Sequence, residues 1–193
     1  MTKPISKLAK KISHMCEIRI IRFEGRIAND GITLRLCRLK DLPVLHSLFG
    51  REIFIAASGV KNKLLSSSFS FWRWMSSTFQ MMYVMEASIE GDYRVIGLIG
   101  LYKIRIGESL WLSAVVFNPQ DRGRGYGQTA VRLLLNSLQK KDMVQVVYGE
   151  VFKTNVASLE LCKRLGFEIC GQNKNKFFMK KRQRSSYSLH YMP

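Results

Sequence analysis

The feature that most constrains this chain is a glycine-rich segment between an apolar run and a helix with one apolar stripe. Residues 117–128 read FNPQDRGRGYGQ, and residues 110–117 are too apolar to alternate, which predicts a central strand covered on both faces. Apolar residues then recur at helical spacing, at Val131, Leu134, Leu135 and Leu138. A helix start leaves backbone N–H groups unpaired and carries partial positive charge. The segment therefore predicts a site for an anion such as pyrophosphate.

The glycine spacing decides between kinds of phosphate loop. A dinucleotide fingerprint needs G-x-G-x-x-G and a P-loop needs G-x-x-x-x-G-K-[ST], and neither pattern fits. The pattern here is R-x-x-G-x-G, from Arg122 through Gly125 to Gly127. A glycine-rich turn and an Arg-Gly patch that touches nucleic acid are the alternatives. The pattern resembles the acyl-CoA pyrophosphate loop of the GNAT N-acetyltransferase superfamily.

A second motif supports the same resemblance. Residues 155–167 read NVASLELCKRLGF, an Asn-led helix that ends in Gly166-Phe167. This segment resembles the second GNAT signature, and one helix and one strand separate it from the glycine loop. The resemblance is dense over residues 114–167 and looser over residues 32–182. On these two motifs the chain is identified as a member of that superfamily, of the type that acetylates ribosomal proteins and protein amino termini.

The resemblance implies an α/β fold, with a mixed twisted sheet of about seven strands flanked by about four helices. The expected order is β-α-α-β-β-β-α-β-α-β-β. We expect a basic N-terminal extension at 1–30, the acetyltransferase domain at 31–182 and a basic C-terminal tail at 183–193. Residues 24–31 are predicted to be turn-like, and residues 5–15 to form a basic amphipathic helix that packs on the domain, on a partner or on a membrane surface.

A second predicted helix, residues 66–82, carries a stripe of aromatic and methionine side chains. Ser66, Ser67 and Ser68 supply a start cap for it. Such a stripe is usually part of the core, although in the GNAT superfamily this region forms a wall of the acceptor site. The stripe consists of Phe69, Trp72, Met75, Phe79 and Met82.

The net charge of +17 lies mostly at the ends of the chain. Residues 1–26 contain seven Lys or Arg against two Glu, and residues 172–193 contain six against no acid. Basic ends of this kind bind nucleic acid, ribosomes or anionic lipid, but they are as often solvated tails. The 193 residues, 47% of them apolar, fit one globular domain.

Several classes of protein are excluded or disfavoured by the same composition. No uncharged apolar run reaches the roughly 18 residues of a membrane span, and the N-terminus lacks a signal-peptide core. The four cysteines have no C-x-x-C pairing and no histidine at ligand spacing, so no metal site is expected. Reduced thiols favour a cytoplasmic location.

The resemblance implies acetyl-CoA as the co-substrate. Backbone N–H groups of the loop, with the Arg122 and Arg124 side chains, would neutralise its pyrophosphate. A backbone N–H near residues 115–117 would bind the oxyanion that develops on the thioester carbonyl. The implied cofactor-binding residues are Val115, Val116, Phe117, Arg122, Gly123, Arg124, Gly125, Tyr126, Gly127, Gln128, Asn155 and Ser158.

Two residues are candidates for proton transfer. Glu150, on the strand before Asn155, resembles the general base of GNAT enzymes that acetylate protein amino termini; a surface or salt-bridged Glu is the alternative. At Cys162 the sequence departs from the superfamily, whose usual residue is a Tyr that protonates the leaving thiolate. A thiol could donate that proton, but a small buried hydrophobe is the favoured interpretation. Tyr126 is expected to pack and not to react.

These observations leave two functions of different classes. The first is an acetyl-CoA-dependent transfer of acetyl to a primary amine by direct attack in a ternary complex. The second is a GNAT-fold binding or regulatory module without turnover, and a basic nucleic-acid- or ribosome-associated protein is a third, weaker alternative. Protein N-termini, lysines, amino sugars and small amines are all open as acceptors, and the positive charge favours anionic acceptors over polycations. A monomer or a homodimer fits equally.

Overall fold

A computed structural model describes residues 23–29, 31–49, 67–89 and 91–183. The predicted helix at 5–15 and the tail at 184–193 lie outside these residues. None of the helices in the described ranges is long and apolar enough to cross a membrane. The elements are β1 (Arg26–Ala28), β2 (Ile32–Leu36), α1 (Leu42–Phe49), α2 (Ser68–Thr78), β3 (Met81–Ile89), β4 (Asp92–Arg105), β5 (Ser109–Val116), α3 (Tyr126–Lys140), β6 (Val146–Phe152), α4 (Val156–Arg164), β7 (Glu168–Gln172) and β8 (Lys176–Arg182).

The strands form one mixed sheet in the order β1-β2-β3-β4-β5-β6-β8-β7. All neighbouring strands pair antiparallel except β5 and β6, which are parallel and pair only over residues 109–111 and 146–148. The α/β class and the order of elements are confirmed. The sheet has eight strands, because Arg26–Ala28 forms an edge strand where a turn was predicted. Ile27 points into the core from this strand, and that burial accounts for the pairing.

Two apolar clusters cover the two faces of the sheet. The α3 stripe that the periodicity predicted is confirmed, since Val131, Leu134, Leu135 and Leu138 are all buried. They belong to the larger cluster, which also holds the β6 residues Val147 and Val151. The smaller cluster joins α1 and α2 to the opposite face, through residues such as Leu45, Phe71 and Leu98. The domain therefore has three layers, with the sheet in the middle and one pair of helices on each face.

The face that α2 buries differs from the predicted stripe. Phe71 and Met75, four residues apart, are fully buried, whereas Phe69 and Trp72 are largely exposed. The Ser67 hydroxyl accepts from the Ser70 N–H at 3.1 Å and caps the start of the helix. Packing against the sheet places residues 71 and 75 on the inward face. The cap prediction agrees with this contact, but the prediction that Phe69 and Trp72 belong to the core is wrong.

The central strand β5 is also less covered than its composition predicted. Ser113 and Ala114 are exposed, although the strand was expected to be buried on both faces. Pairing with β6 stops after Trp111 and Tyr148, so the second half of β5 has β4 as its only paired strand within the described residues. The sheet therefore opens between β5 and β6, next to the glycine loop.

Candidate active site

The glycine loop connects the open end of β5 to the start of α3. A short turn at Pro119–Asp121 leads into Gly123 and Gly125, whose φ angles are +74° and +81°. These left-handed conformations favour glycine, and Gly125 is the N-cap residue of α3. A Cβ added at Gly125 would meet nothing within 4 Å, so the space beside the loop is open. The first backbone N–H groups of α3 lie at this end, as an anion site requires.

Gly127 sits where the helix approaches both the sheet and α4. A Cβ added there would lie 3.5 Å from a Val116 methyl carbon and 4.0 Å from a Leu161 methyl carbon. Tyr126 packs partly buried against the main core, as expected, and Gln128 is half-buried. Arg124 is exposed. The structure therefore brings the loop residues and Val116 together at one place.

Arg122 does not extend away from the loop. Its Nε donates to the Val116 carbonyl and an Nη donates to the Phe117 carbonyl, both at 3.1 Å. The guanidinium thus holds the end of β5 against the loop. A role in shaping the site fits these contacts better than the direct charge neutralisation that the sequence suggested.

A buried carboxylate that sequence reasoning missed lies under the same loop. Asp121 is 1% exposed; it forms an ion pair with Arg94 of β4 and accepts from the Asn118 amide at 3.2 Å. A buried charge is retained only when it is paired and hydrogen-bonded, and both conditions hold here. Asp121 therefore ties the turn before the glycines to the neighbouring strand.

The backbone of residues 115–117 has a specific orientation. The Phe117 N–H donates to the Ile96 carbonyl at 2.9 Å, and a Cβ added at Gly97 would collide with the Val115 carbonyl oxygen. Both groups therefore point toward β4. The C=O and N–H of a trans peptide point in opposite directions, so the Val116 N–H points away from β4, toward the side where β5 and β6 separate.

The second motif forms α4 as predicted. The Asn155 side chain accepts from the Ser158 N–H at 3.0 Å and caps the helix, while Ser158 itself is half-buried in the first turn. Gly166 has φ +78°, and the Phe167 N–H donates to the Cys162 carbonyl at 2.9 Å, which closes the C-terminus. α4 starts at the same end of the sheet as α3, because both helices follow the parallel strands β5 and β6.

Cys162 faces the core and not an open site. It packs partly buried against the larger apolar cluster. Burial raises the pKa of its thiol to about 11. Proton transfer from this thiol to a CoA thiolate with an ordinary thiol pKa of ~8.5 would be uphill by roughly 3 kcal/mol. These properties fit the favoured interpretation of the sequence, in which Cys162 is a small buried hydrophobic residue and not a proton donor.

Glu150 lies on the other face of β6. Val147 and Val151 point into the core beneath α3, and side chains alternate along a strand, so Glu150 points to the opposite face from Cys162. Its carboxylate pairs with the Lys176 ammonium at 2.8 Å, and the two side chains are 28% and 31% exposed. The structure therefore places the two candidate proton-transfer residues on opposite sides of the sheet.

Aromatic side chains from four strands lie on the same face of the sheet as Glu150, and we call Tyr102, Trp111, Tyr148 and Phe178 the aromatic row. Trp111 stacks on Tyr148 at 5.2 Å between ring centroids and lies 6.0 Å from Tyr102 and 6.3 Å from Phe178. Phe178 is opposite Glu150 in the register of β6 and β8. Burial, and secondly the charge of Glu150, raise the pKa of Tyr102 to about 12.

Two lysines border the aromatic row. The Lys103 ammonium lies 4.5 Å from the Trp111 ring centroid, and the Lys176 ammonium lies 4.7 Å from that of Phe152. Sequence reasoning missed the row, because its members come from strands distant in sequence. The register of those strands is the signal that could have located them, and no local motif specifies it.

Comparisons with known proteins agree with this geometry. A profile of the acetyltransferase (GNAT) domain matches residues 32–168. No curated protein sequence matches the chain.

Solved structures share the fold. A domain from Methanocaldococcus jannaschii has a TM-score of 0.70 at 17% identity, with 79% of this chain and 99% of that chain covered. Spermidine N-acetyltransferase from Vibrio cholerae, in complex with CoA and spermine, has a TM-score of 0.68 at 19% identity, with 80% and 97% covered. The ribosomal-protein α-N-acetyltransferase RimL, in complex with CoA, has a TM-score of 0.69 at 13% identity, with 81% and 97% covered.

Proposed function

This chain belongs to the GNAT acetyltransferase family, and from that premise we propose that it transfers an acetyl group from acetyl-CoA to a primary amine. The amine attacks the thioester carbonyl directly, and CoA leaves as a thiolate that is reprotonated. The observation that carries this proposal is the glycine loop at the start of α3, beside the point where β5 and β6 separate. The catalytic domain is proposed to span the predicted residues 31–182 together with the edge strand β1, which pairs with β2.

The cofactor would bind along the α3 and α4 side of this opening. The pyrophosphate would accept from the first N–H groups of α3, at residues 126–128, with the exposed Arg124 beside it. Arg122 and Asp121 would hold the loop in shape. The CoA and acetyl-CoA complexes of related folds, including a microcin C7 self-immunity acetyltransferase with acetyl-CoA and AMP, support this class of cofactor.

The reacting carbonyl would lie in the opening between β5 and β6. The Val116 N–H points toward that side and is the proposed donor to the oxyanion. On the other side of the opening, Glu150 is the proposed base. An acceptor amine has a pKa of ~10 and is mostly protonated in water, so its neutral fraction would attack. The carboxylate would take the proton that the nitrogen loses as the C–N bond forms, directly or through one water.

The proton that returns to the CoA thiolate is assigned to solvent and not to Cys162. The raised pKa of Cys162 makes it a poor donor at neutral pH. Protonating a thiolate needs little assistance, because its ordinary pKa of ~8.5 lies close to neutral pH. The departure from the family's usual Tyr is therefore compatible with turnover.

The surroundings of Glu150 support an acceptor without extra positive charge. The Lys176 ammonium already occupies a position against the carboxylate, and Lys103 adds a second cation over Trp111. Like charges at close range repel, so a polyamine would bind less well here than an amine with no second cationic group, which we call a neutral or anionic amine according to the charge of the rest of the molecule. This charge pattern makes amines such as peptide N-termini or phosphorylated amines better candidates than the spermine bound by the Vibrio cholerae relative.

A second candidate is a GNAT-fold module that binds acetyl-CoA without turnover. Cys162, in place of the usual Tyr, is the observation that favours it. The two candidates differ in turnover and agree in cofactor binding.

A free-CoA release assay over amine classes separates them. Acetyl-CoA is supplied with peptides bearing free N-termini, amino sugars, small monoamines, phosphorylated amines and spermine, and the released thiol is measured. We expect CoA to be released only when one class of neutral or anionic amine is supplied. Mass spectrometry then confirms that this amine is acetylated. Acetyl-CoA binding without release on any class would support the module and contradict the enzyme.

A further inference from the structure

A small basic pocket lies away from the loop and from Glu150, between α3, the end of α4 and the end of β8. Its volume is about 170 Å³, below the roughly 300–1,000 Å³ of pockets for drug-sized ligands. Two apolar residues and six polar ones line it, and no carboxylate does. The polar residues are Arg132, Asn136, Gln139, Arg164, Lys181 and Gln183.

The three cations of this pocket form no ion pair with any described residue. Glu160 interacts electrostatically with Arg164, but its carboxylate forms its ion pair with Lys163, at 2.8 Å. Two guanidinium forks, an ammonium and three side-chain amides therefore converge on one small space. All of these groups can donate hydrogen bonds, and only the amides can also accept them.

Lys181 adds to the positive charge that faces this pocket. Its register partner is Val147, which is fully buried beneath α3, so Lys181 points to the helix-covered face of the sheet. The Lys181 ammonium lies next to Gly166, since a Cβ added at this glycine would be 2.9 Å from Lys181 Nζ. A lysine on the inner side of a strand needs a counter-charge or water. Neutralising the C-terminus of α4 accounts for Lys181, but it does not explain Arg132 on α3.

The pocket is also distant from the proposed pyrophosphate site. Both helices start at the loop end of the sheet and rise ~1.5 Å per residue. Arg132 is therefore about 9 Å along α3 from Tyr126, and Gln139 about 20 Å, while Arg164 is about 12 Å along α4. The proposed acetyl transfer does not use these residues.

We propose that this pocket binds a phosphate group. Paired guanidinium forks match the oxygens of phosphate in bidentate geometry, and three cations suit a doubly charged oxyanion better than a single carboxylate. The volume suits the phosphate group itself, with the rest of its molecule outside. The source is a free phosphate ester or the backbone of a nucleic acid, which share this chemistry.

The test compares two variants with equal loss of charge. The pocket variant is Arg132→Gln/Arg164→Gln, and the control is Arg105→Gln/Lys174→Gln, at the exposed end of β4 and in the exposed turn between β7 and β8. Pyrophosphate binding is measured by calorimetry with CoA at saturation, so that the proposed pyrophosphate site at residues 126–128 is already occupied. Binding of a single-stranded RNA oligonucleotide is measured by fluorescence anisotropy across salt concentrations. If the pocket variant does not fold, Lys181→Met, which keeps the apolar stem, is compared with Lys174→Met.

We expect the pocket variant to bind pyrophosphate at least about tenfold more weakly than the control, with acetyl-CoA affinity equal in both. If RNA is the source, the log–log salt slope falls by about one for each cation removed; if a small ester is, RNA binding is the same in both variants. The proposal is overturned if neither probe distinguishes the variants. It is also overturned if the pocket variant loses affinity for acetyl-CoA but not for 3′-dephospho-CoA, because the pocket would then belong to the cofactor site.

Discussion

The two sides of the opening between β5 and β6 are built in different ways. The α3 and α4 side presents backbone, with glycines, helix-start N–H groups and the braces from Arg122 and Asp121. The opposite side presents side chains, with Glu150 and the aromatic row drawn from four strands. Backbone groups suit a cofactor common to a whole family, because their geometry does not depend on the side chains that vary between members.

This difference assigns separate tasks to the two sides. The backbone side is proposed to bind and orient acetyl-CoA, and its cysteine is held as an uncharged thiol by burial. The side-chain side is proposed to bind the acceptor and take its proton, and Lys176 and Lys103 contribute positive charge there. The following predictions test this division, each by changing one side and measuring both binding and turnover.

The largest effect is expected at Glu150. Replacing it in Glu150→Gln keeps the shape but removes proton acceptance, and should lower kcat by roughly 10²–10⁴-fold with little change in acetyl-CoA affinity. The matched control is Glu160→Gln, another carboxylate that pairs with a lysine at 2.8 Å but lies on α4. Steady-state kinetics on the identified acceptor measure the effect. Full activity in Glu150→Gln, with an unshifted pH–rate profile, would show that Glu150 is not the base and that another group takes the proton.

A second test asks whether the cysteine of the backbone side is chemically silent. A thiol with a pKa of about 11 is roughly 0.1% ionised at pH 8, whereas an ordinary thiol at ~8.5 is about one quarter ionised. Iodoacetamide should therefore alkylate Cys162 at least about 100-fold more slowly than the exposed Cys170. Mass spectrometry of tryptic peptides gives both rates from one sample. Equal rates would mean a reactive thiol on the cofactor side, and the division of tasks would fail.

The third test crowds the backbone side. In Gly125→Val, branched carbons enter the open space beside the loop and should raise the acetyl-CoA dissociation constant by about tenfold or more, roughly 1.4 kcal/mol. A non-glycine residue at φ +81° also carries strain, so the control is Gly107→Val at φ +80° in the β4–β5 turn. Calorimetry and thermal unfolding separate the two effects. If both variants lose stability equally and neither loses affinity, the loop is not the cofactor site.

The smallest effect concerns acceptor charge. In Lys176→Met, one positive charge beside Glu150 is removed, and a partly exposed charge at this range is worth about 1 kcal/mol. The ratio of kcat/KM for spermine to that for a neutral monoamine should then rise by about fivefold. Lys153→Met, which removes an ammonium 5.2 Å from the Phe177 ring, is the control. An unchanged ratio would show that Lys176 does not select acceptors.

The backbone side is also the part that the sequence predicts best. The α3 stripe, the helix caps at Ser67 and Asn155 and the Gly166 stop follow from local rules, which need only a few consecutive residues. The glycine spacing likewise predicts from a few residues that Gly125 and Gly127 lie at the start of α3. Local rules fail where tertiary contacts decide, as in α2, whose periodicity fits two faces and whose packing on the sheet selects residues 71 and 75.

The side-chain part of the site could not be predicted in this way. The resemblance to GNAT enzymes suggested Glu150, but Lys176 reaches it through the register of β6 and β8, which single-sequence patterns do not fix. The exposure of Ser113 and Ala114 depends on where β6 leaves β5, again a property of the assembled sheet. Asp121 looked like a turn residue, and its burial depends on Arg94 from another strand.

The most direct test of the account is an NMR titration of isotope-labelled protein with acetyl-CoA. If acetyl-CoA binds on the backbone side, the largest backbone amide shifts are expected at residues 126–128 and at Val116, where the pyrophosphate and the thioester carbonyl would accept hydrogen bonds. Amides near Lys176 and Arg164 should move little. Saturable binding whose shifts leave residues 116 and 126–128 unchanged would contradict the assignment of the cofactor to the backbone side.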